Sequence, residues 1–374
     1  MPVHRKIFIP ILLSLFLLSF ISCNRQEKTP IKIGFTGTLT GHTAVVGAAC
    51  RDSVLLAVEQ FNQNGGLNGR KVELVIEDLK QNKDIAQTVV KKFKEMKIPV
   101  VVGPMFSSMA LAVAGTATED GPVFISPTAS TTALNDRDDS LLRLYPPSNV
   151  AAKRMADHVA DKSLMTISII CDTNNSAFTE DWRNHFVEEY LARGGKILDS
   201  VSYRHEDVSY KNLIASLVPR KPSAFLILSN AIETAMFCQQ LRILNQSVPV
   251  FASEWSMTEG LIQMGGKSVE GVEFFHVLDA SSSAERYLDF LASFQNRYMT
   301  TPSYPAILAY DAITIALKGL ELGARTGAEF KNVLLQQKSF NTLQTSIRFD
   351  SYGEVQRALF LNTVKNGRIV SAEK

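Results

Sequence analysis

Two hydroxyl-rich loops are the first residues in this chain whose types and spacing could do chemistry. The apolar run Val100-Val101-Val102 empties into Gly103-Pro104, then Ser107 and Ser108. One helix later, Val123-Phe124-Ile125 empties into Ser126-Pro127, then Ala129, Ser130, Thr131 and Thr132. Ser107 opens a helix expected over 107–119. In open α/β sheets ligands sit beyond the carboxyl ends of strands, where helix N-termini offer unpaired N–H groups and a positive dipole end. Hydroxyls and N–H groups converging there suit a carboxylate without any cationic side chain. Each serine alone reads as a helix N-cap. Two such loops after successive strands point to a shared site.

Other chemistries lack their residues. "GFTGTLTG" (34–41) stands where a phosphate loop would, but its glycines do not fit G-x-G-x-x-G and no G-K-[ST] follows. The acidic pair Glu77-Asp78 falls well beyond the ~20-residue spacing of a dinucleotide site. No G-x-S-x-G or H-E-x-x-H occurs, and the six histidines are scattered. We therefore expect no enzyme, no metal and no cofactor. Net charge is +2 and vanishes without Arg5 and Lys6, so nothing favours nucleic acid. Of four cysteines, Cys50, Cys171 and Cys238 are widely spaced, without a CxxC, and read as buried thiols.

The elements that must position the loops alternate from Ile31 onward. Apolar runs at 31–36, 72–77, 99–103, 122–126, 165–171, 196–203, 223–229, 248–253 and 269–275 read as strands. Amphipathic stretches at 46–63, 84–96, 149–162, 178–193, 231–244 and 284–299 read as helices. This predicts an α/β fold with parallel sheets covered on both faces. The length favours two lobes, with a break at Leu144-Tyr145-Pro146-Pro147, where proline excludes helix.

The N-terminus carries His4-Arg5-Lys6 and then an apolar stretch from Ile7 to Ile21, the form of a secretory signal (1–22). It ends in Phe20-Ile21-Ser22-Cys23, which resembles a bacterial lipobox with Phe in place of the usual Leu. Cys23 is then the expected lipid attachment residue, and 23–30 a tether to the folded body.

The order of motifs resembles the type I periplasmic binding proteins, specifically the branched-chain amino acid (Leu/Ile/Val) binding family. "FTGTLTGHTAVVGAACRDSVLLAVEQFNQNGGLNGRKVELVIED" (35–78) is similar to its opening block, and "GPMFSS…PVFISPTAS" to its paired serine loops. "TNNSAFTEDWRNHFVEEYLARGGKI" (173–197), "PVFASEWSMTEGLIQMGGKSVEGVEF" (249–274) and "YPAILAYDAITIALKGL" (304–320) complete the series. The resemblance runs from about 31 to 365.

It implies two Rossmann-like doubly wound lobes joined by a three-segment hinge. Lobe 1 is expected at 31–146 and 278–345, lobe 2 at 147–277 and 346–365. Ser107, Ala129 and Ser130 would hold a ligand carboxylate, with the Ala129 carbonyl also open to an ammonium. Glu254 falls at the family's acidic partner for that ammonium, and Asn230 in a further contact segment. Phe178 stands where the family often has Tyr, keeping an apolar wall and losing a donor. Trp255 would be a second wall, and Leu39 and Thr40 contacts by position. The implied protein is a monomeric, exported, lipid-anchored solute-binding protein, held at the cell or outer membrane and facing the periplasm or exterior. It would deliver an amino acid or related small carboxylate to the permease subunits of an ABC importer. The alternative is a sensor of the same fold that signals to a membrane partner.

Overall fold

A computed structural model describes residues 29–41, 43–244 and 247–372. The expected signal segment and Cys23 lie outside the described residues. Among the described residues no helix is long and apolar enough to cross a membrane.

The alternating runs fold into two main sheets with helices on both faces. The first holds β1 (Ile31–Gly37), β2 (Val72–Asp78), β3 (Val100–Val102), β4 (Val123–Ser126) and β5 (Leu141–Arg143), all parallel, in the order β2-β1-β3-β4-β5. The second has parallel β6 (Thr166–Asp172), β7 (Lys196–Tyr203), β8 (Ala224–Leu228), β9 (Val250–Ala252) and β10 (Glu273–His276). A hairpin of β11 (Phe340–Asn341) and β12 (Ser346–Ile347) stands apart. The tail then adds β13 (Phe360–Lys365) and β14 (Arg368–Ser371) antiparallel at the edge of the second sheet.

Burial on both faces explains why the strands read as continuous apolar runs. In β3, Val101 packs into one helical layer while Val100 and Val102 pack into the other. In β8, Leu226 and Leu228 face one layer and Phe225 and Ile227 the opposite one. The helices are α1 (Ala44–Gln63), α2 (Lys83–Glu95), α3 (Ser107–Ala114), α4 (Ser148–Asp161), α5 (Ser176–Ala192), α6 (Tyr210–Leu217), α7 (Ala231–Ile243), α8 (Glu259–Gly265), α9 (Glu285–Tyr298), α10 (Tyr304–Glu321) and α11 (Gly327–Gln336). Helices α1, α10 and α11 cover one face of the first sheet. On the second lobe, α4 and α5 pack against each other across one face.

Two expectations about the elements change. The helix expected to reach 119 stops at Ala114, because Gly115 caps it and glycine is a poor continuation. The third crossing between lobes lies past Val355, not at 346. Ile347, Phe349 and Val355 are buried in the core of the first lobe, and Arg143 N–H donates to the Gly353 carbonyl at 2.9 Å.

All three of Cys50, Cys171 and Cys238 are free and buried. Burial pushes the Cys171 and Cys238 thiols up to about 12, so they are inert.

Candidate functional site

The two serine loops meet at the carboxyl ends of neighbouring strands β3 and β4. Gly103 makes the first turn possible: its φ is +112°, and a Cβ there would lie 2.0 Å from the Thr36 carbonyl oxygen. Phe106, not a serine, occupies the N-cap of α3, with no side-chain cap bond. Ser107 is therefore free of the capping role. Its Oγ instead accepts from the backbone N–H of Ser130 at 3.2 Å and of Thr131 at 3.3 Å. A hydroxyl that accepts twice still has its own O–H to donate.

Ser107, Phe178 and Glu254 line one small cavity between the lobes, together with Tyr145, Asn175 and Trp255. Its volume is about 30 Å³. Ala129 and Ser130 are buried beside it rather than on its wall. Ala129 N–H is taken by Ser126 Oγ at 3.2 Å, and the lining position of that loop belongs to Thr128. Asn230 caps α7, its side-chain oxygen accepting from Glu233 N–H at 3.1 Å, and it faces a neighbouring groove. Leu39 N–H and Thr40 Oγ1 both donate to Asp78, at 2.8 and 2.6 Å, and neither residue reaches the cavity.

The cavity polarity is unusual for a buried space. Glu254 is 4% exposed. Its Oε2 accepts from Trp182 Nε1–H at 3.1 Å, while Oε1 has no hydrogen-bond partner. Burial pushes this carboxyl up to about 7, against a backbone hydrogen bond at Glu254 itself and the Trp182 bond, which pull the other way. Tyr145 OH and Asn175 Oδ1 are likewise buried without a partner. An unpaired buried polar atom costs ~1–3 kcal/mol, so three on one cavity mark a place built for a polar guest.

Trp182 carries a sequence signal of its own. Phe178, Trp182, Phe186 and Tyr190 recur every fourth residue on α5 and share one face. Trp182 stacks on Phe186 at 5.8 Å and Phe186 on Tyr190 at 5.2 Å, fixing the indole that holds Glu254. Tyr145 and Asn175 had no such periodicity to betray them: one lies on the hinge, the other at the mouth of α5.

The lobes are latched around this cavity. Asp181 on α5 accepts from Thr132 N–H at 2.8 Å, and also from the hydroxyls of Thr132 and Ser148. Gln81 of the first lobe donates from Nε2 to the Asn174 carbonyl at 2.9 Å. Behind that segment, Asp172 is pushed up to about 7 by burial and by Glu233, which itself accepts from Ser229 Oγ at 2.8 Å. Among the described residues, no three of His, Cys, Asp and Glu gather as metal ligands.

Two doubly wound lobes joined by a three-segment hinge, with a cavity lined by Ser107 and Glu254 between them, define a solute-binding protein of the two-lobed type. The chain belongs to the periplasmic binding protein family, whose model matches residues 30–368. It is of type I, and its relatives are those of the branched-chain amino acid group. It is 23% identical over 331 residues to the leucine-, isoleucine-, valine-, threonine- and alanine-binding protein of Pseudomonas aeruginosa, covering 87% of each chain. Among solved structures it resembles LivJ of Streptococcus pneumoniae in complex with isoleucine (TM-score 0.83, 22% identity, 92% of this chain and 99% of that one). It also resembles a solute-binding protein of an ABC transporter from Rhodopseudomonas palustris in complex with 3,4-dihydroxybenzoic acid (TM-score 0.83, 19% identity, 92% and 96%). Members of the family bind solutes and are not enzymes, and this chain is a solute-binding protein.

Proposed function

We propose that this protein captures an amino acid or related small carboxylate between its lobes and delivers it to an ABC importer. The observation that carries the reading is the cavity between the lobes on which Ser107 and Glu254 meet. Ser107 offers an O–H to a carboxylate, and Glu254 offers a buried oxygen with no protein partner to an ammonium. Phe178 and Trp255 supply the apolar walls. The ligands in the structures it resembles, isoleucine and a hydroxybenzoic acid, share a carboxylate. Ser107, with Ala129 and Ser130 supporting its loop, makes the carboxylate end; Glu254 and Phe178 make the other; Asn230 stands at the margin. Lobe 1 spans 31–146 with about 278–355, lobe 2 147–277 with the tail. The protein works outside the cytoplasm, anchored through Cys23.

Calorimetry of the mature protein against amino acids and small carboxylates tests this. Ser107→Ala is expected to weaken the best ligand by ~1–3 kcal/mol, roughly five- to 150-fold in Kd. Unchanged affinity would remove Ser107 from the site.

A further inference from the structure

Trp255 stands on the boundary between two spaces in the cleft. On one side is the cavity of about 30 Å³ on whose wall Ser107 and Glu254 lie. On the other is a larger, mainly apolar groove of about 440 Å³, with Val45, Ile232, Met264 and Phe294 on its walls. Trp255 and Val46 line both spaces.

The indole is firmly held. It lies in the single turn Glu254–Ser256 and is 5% exposed. Its ring meets Phe106 of the first lobe edge-on at 6.0 Å and Phe178 of the second at 6.1 Å. Such edge contacts add ~0.5–1.5 kcal/mol each beyond area burial. The partition therefore joins residues of both lobes and is complete only when they are closed.

The inner volume has room for roughly two or three waters, at the ~10–15 Å³ that one needs. That suits the polar end of a small acid and leaves little for a side chain. The groove beyond the indole has the space that the inner cavity lacks, and its walls are mainly apolar. We propose that Trp255 is the size-setting residue of the site: it walls the outer groove off from the ligand and restricts binding to acids with a short substituent. This rests on the solute-binding reading above and names the class of solute within it.

The test compares Kd values of the full mature chain, wild type and Trp255→Ala, for a ladder of glycine, alanine, 2-aminobutyrate, leucine and phenylalanine. Acetate, butyrate, benzoate and 3-phenylpropionate form a second ladder without the amine. Wild type is expected to lose at least tenfold in affinity from the shortest binder to the longest. Trp255→Ala is expected to raise the affinity for leucine, phenylalanine or phenylpropionate at least tenfold relative to that for the shortest binder. Trp255→Phe, which keeps an aromatic wall, should retain the wild-type ranking; with Trp255→Leu it also serves if the alanine variant unfolds early. The same size ranking in wild type and the truncated variants overturns the proposal, as does wild type binding the longest members as tightly as the shortest. Failure of wild type to bind any member of either ladder instead overturns the acid-binding reading, and this inference with it.

Discussion

Glu254 concentrates the chemistry of the site at the scale of one residue. Its folded-state value of about 7 lies above the ordinary 4.5, so the folded protein holds that proton more tightly than the unfolded chain. The stability this lends is complete below pH 4.5 and is lost as pH rises through about 7. A ligand ammonium beside Oε1 needs the ionised form. The affinity of an α-amino acid is therefore expected to be ~10-fold tighter at pH 8 than at pH 6, with proton release on binding. Glu254→Gln should bind more weakly with a flat profile, and calorimetry in two buffers of different ionisation heat reads both effects. Retention of the slope in the glutamine variant would assign it to another group. Of the residues expected from sequence, Ser107, Phe178 and Glu254 line the cavity, whereas Ala129, Ser130 and Asn230 do not. Backbone N–H groups of the second loop are spent on Ser107 itself, and a loop's path decides which of three consecutive residues faces inward.

Helix α5 does two jobs at the scale of elements. Its aromatic face fixes Trp182, and its Asp181 ties the 130s loop of the first lobe to the start of α4. Hydrogen bonds to a charged group contribute ~1.5–3 kcal/mol, and the two from Thr132 cross between the lobes, whereas the Ser148 bond stays within the second. Asp181→Ala is expected to shift the lobes toward the open form. Small-angle scattering should show a larger radius of gyration, and ligand affinity should fall by about tenfold or more. An unchanged radius with unchanged affinity would reduce Asp181 to a surface acid. Strands β1–β4 and β6–β10 and helices α1–α5, α7 and α9 were legible from the sequence, whereas the helices α6, α8, α10 and α11 were not among those expected. Nor was the Asp181–Thr132 contact, since nothing in either segment names its partner across 49 residues.

For the whole molecule, closing two lobes over a solute couples occupancy to shape, because only the closed form lets Ser107 and Glu254 share one cavity. A tethered binding protein would then present that shape at a membrane. Cys23→Ala is expected to move the mature protein from the membrane to the soluble fraction and to end lipid labelling; labelling that persists would refute the anchor. The sequence by itself determined the two-lobed α/β architecture, the strand ends that meet in the cleft and the absence of catalytic motifs. The strand–helix alternation and the strand ends follow from local periodicity and from glycine, proline and serine, which act over a few residues, and the two lobes from chain length and the family resemblance. Tertiary structure alone decided that Tyr145 and Asn175 join the cavity, that Asn230 does not, that the third crossing waits until after Val355, and that Trp255 divides the cleft. Those outcomes depend on distances between segments over a hundred residues apart. The packing of side chains against partners distant in the chain sets them, and no local pattern encodes it.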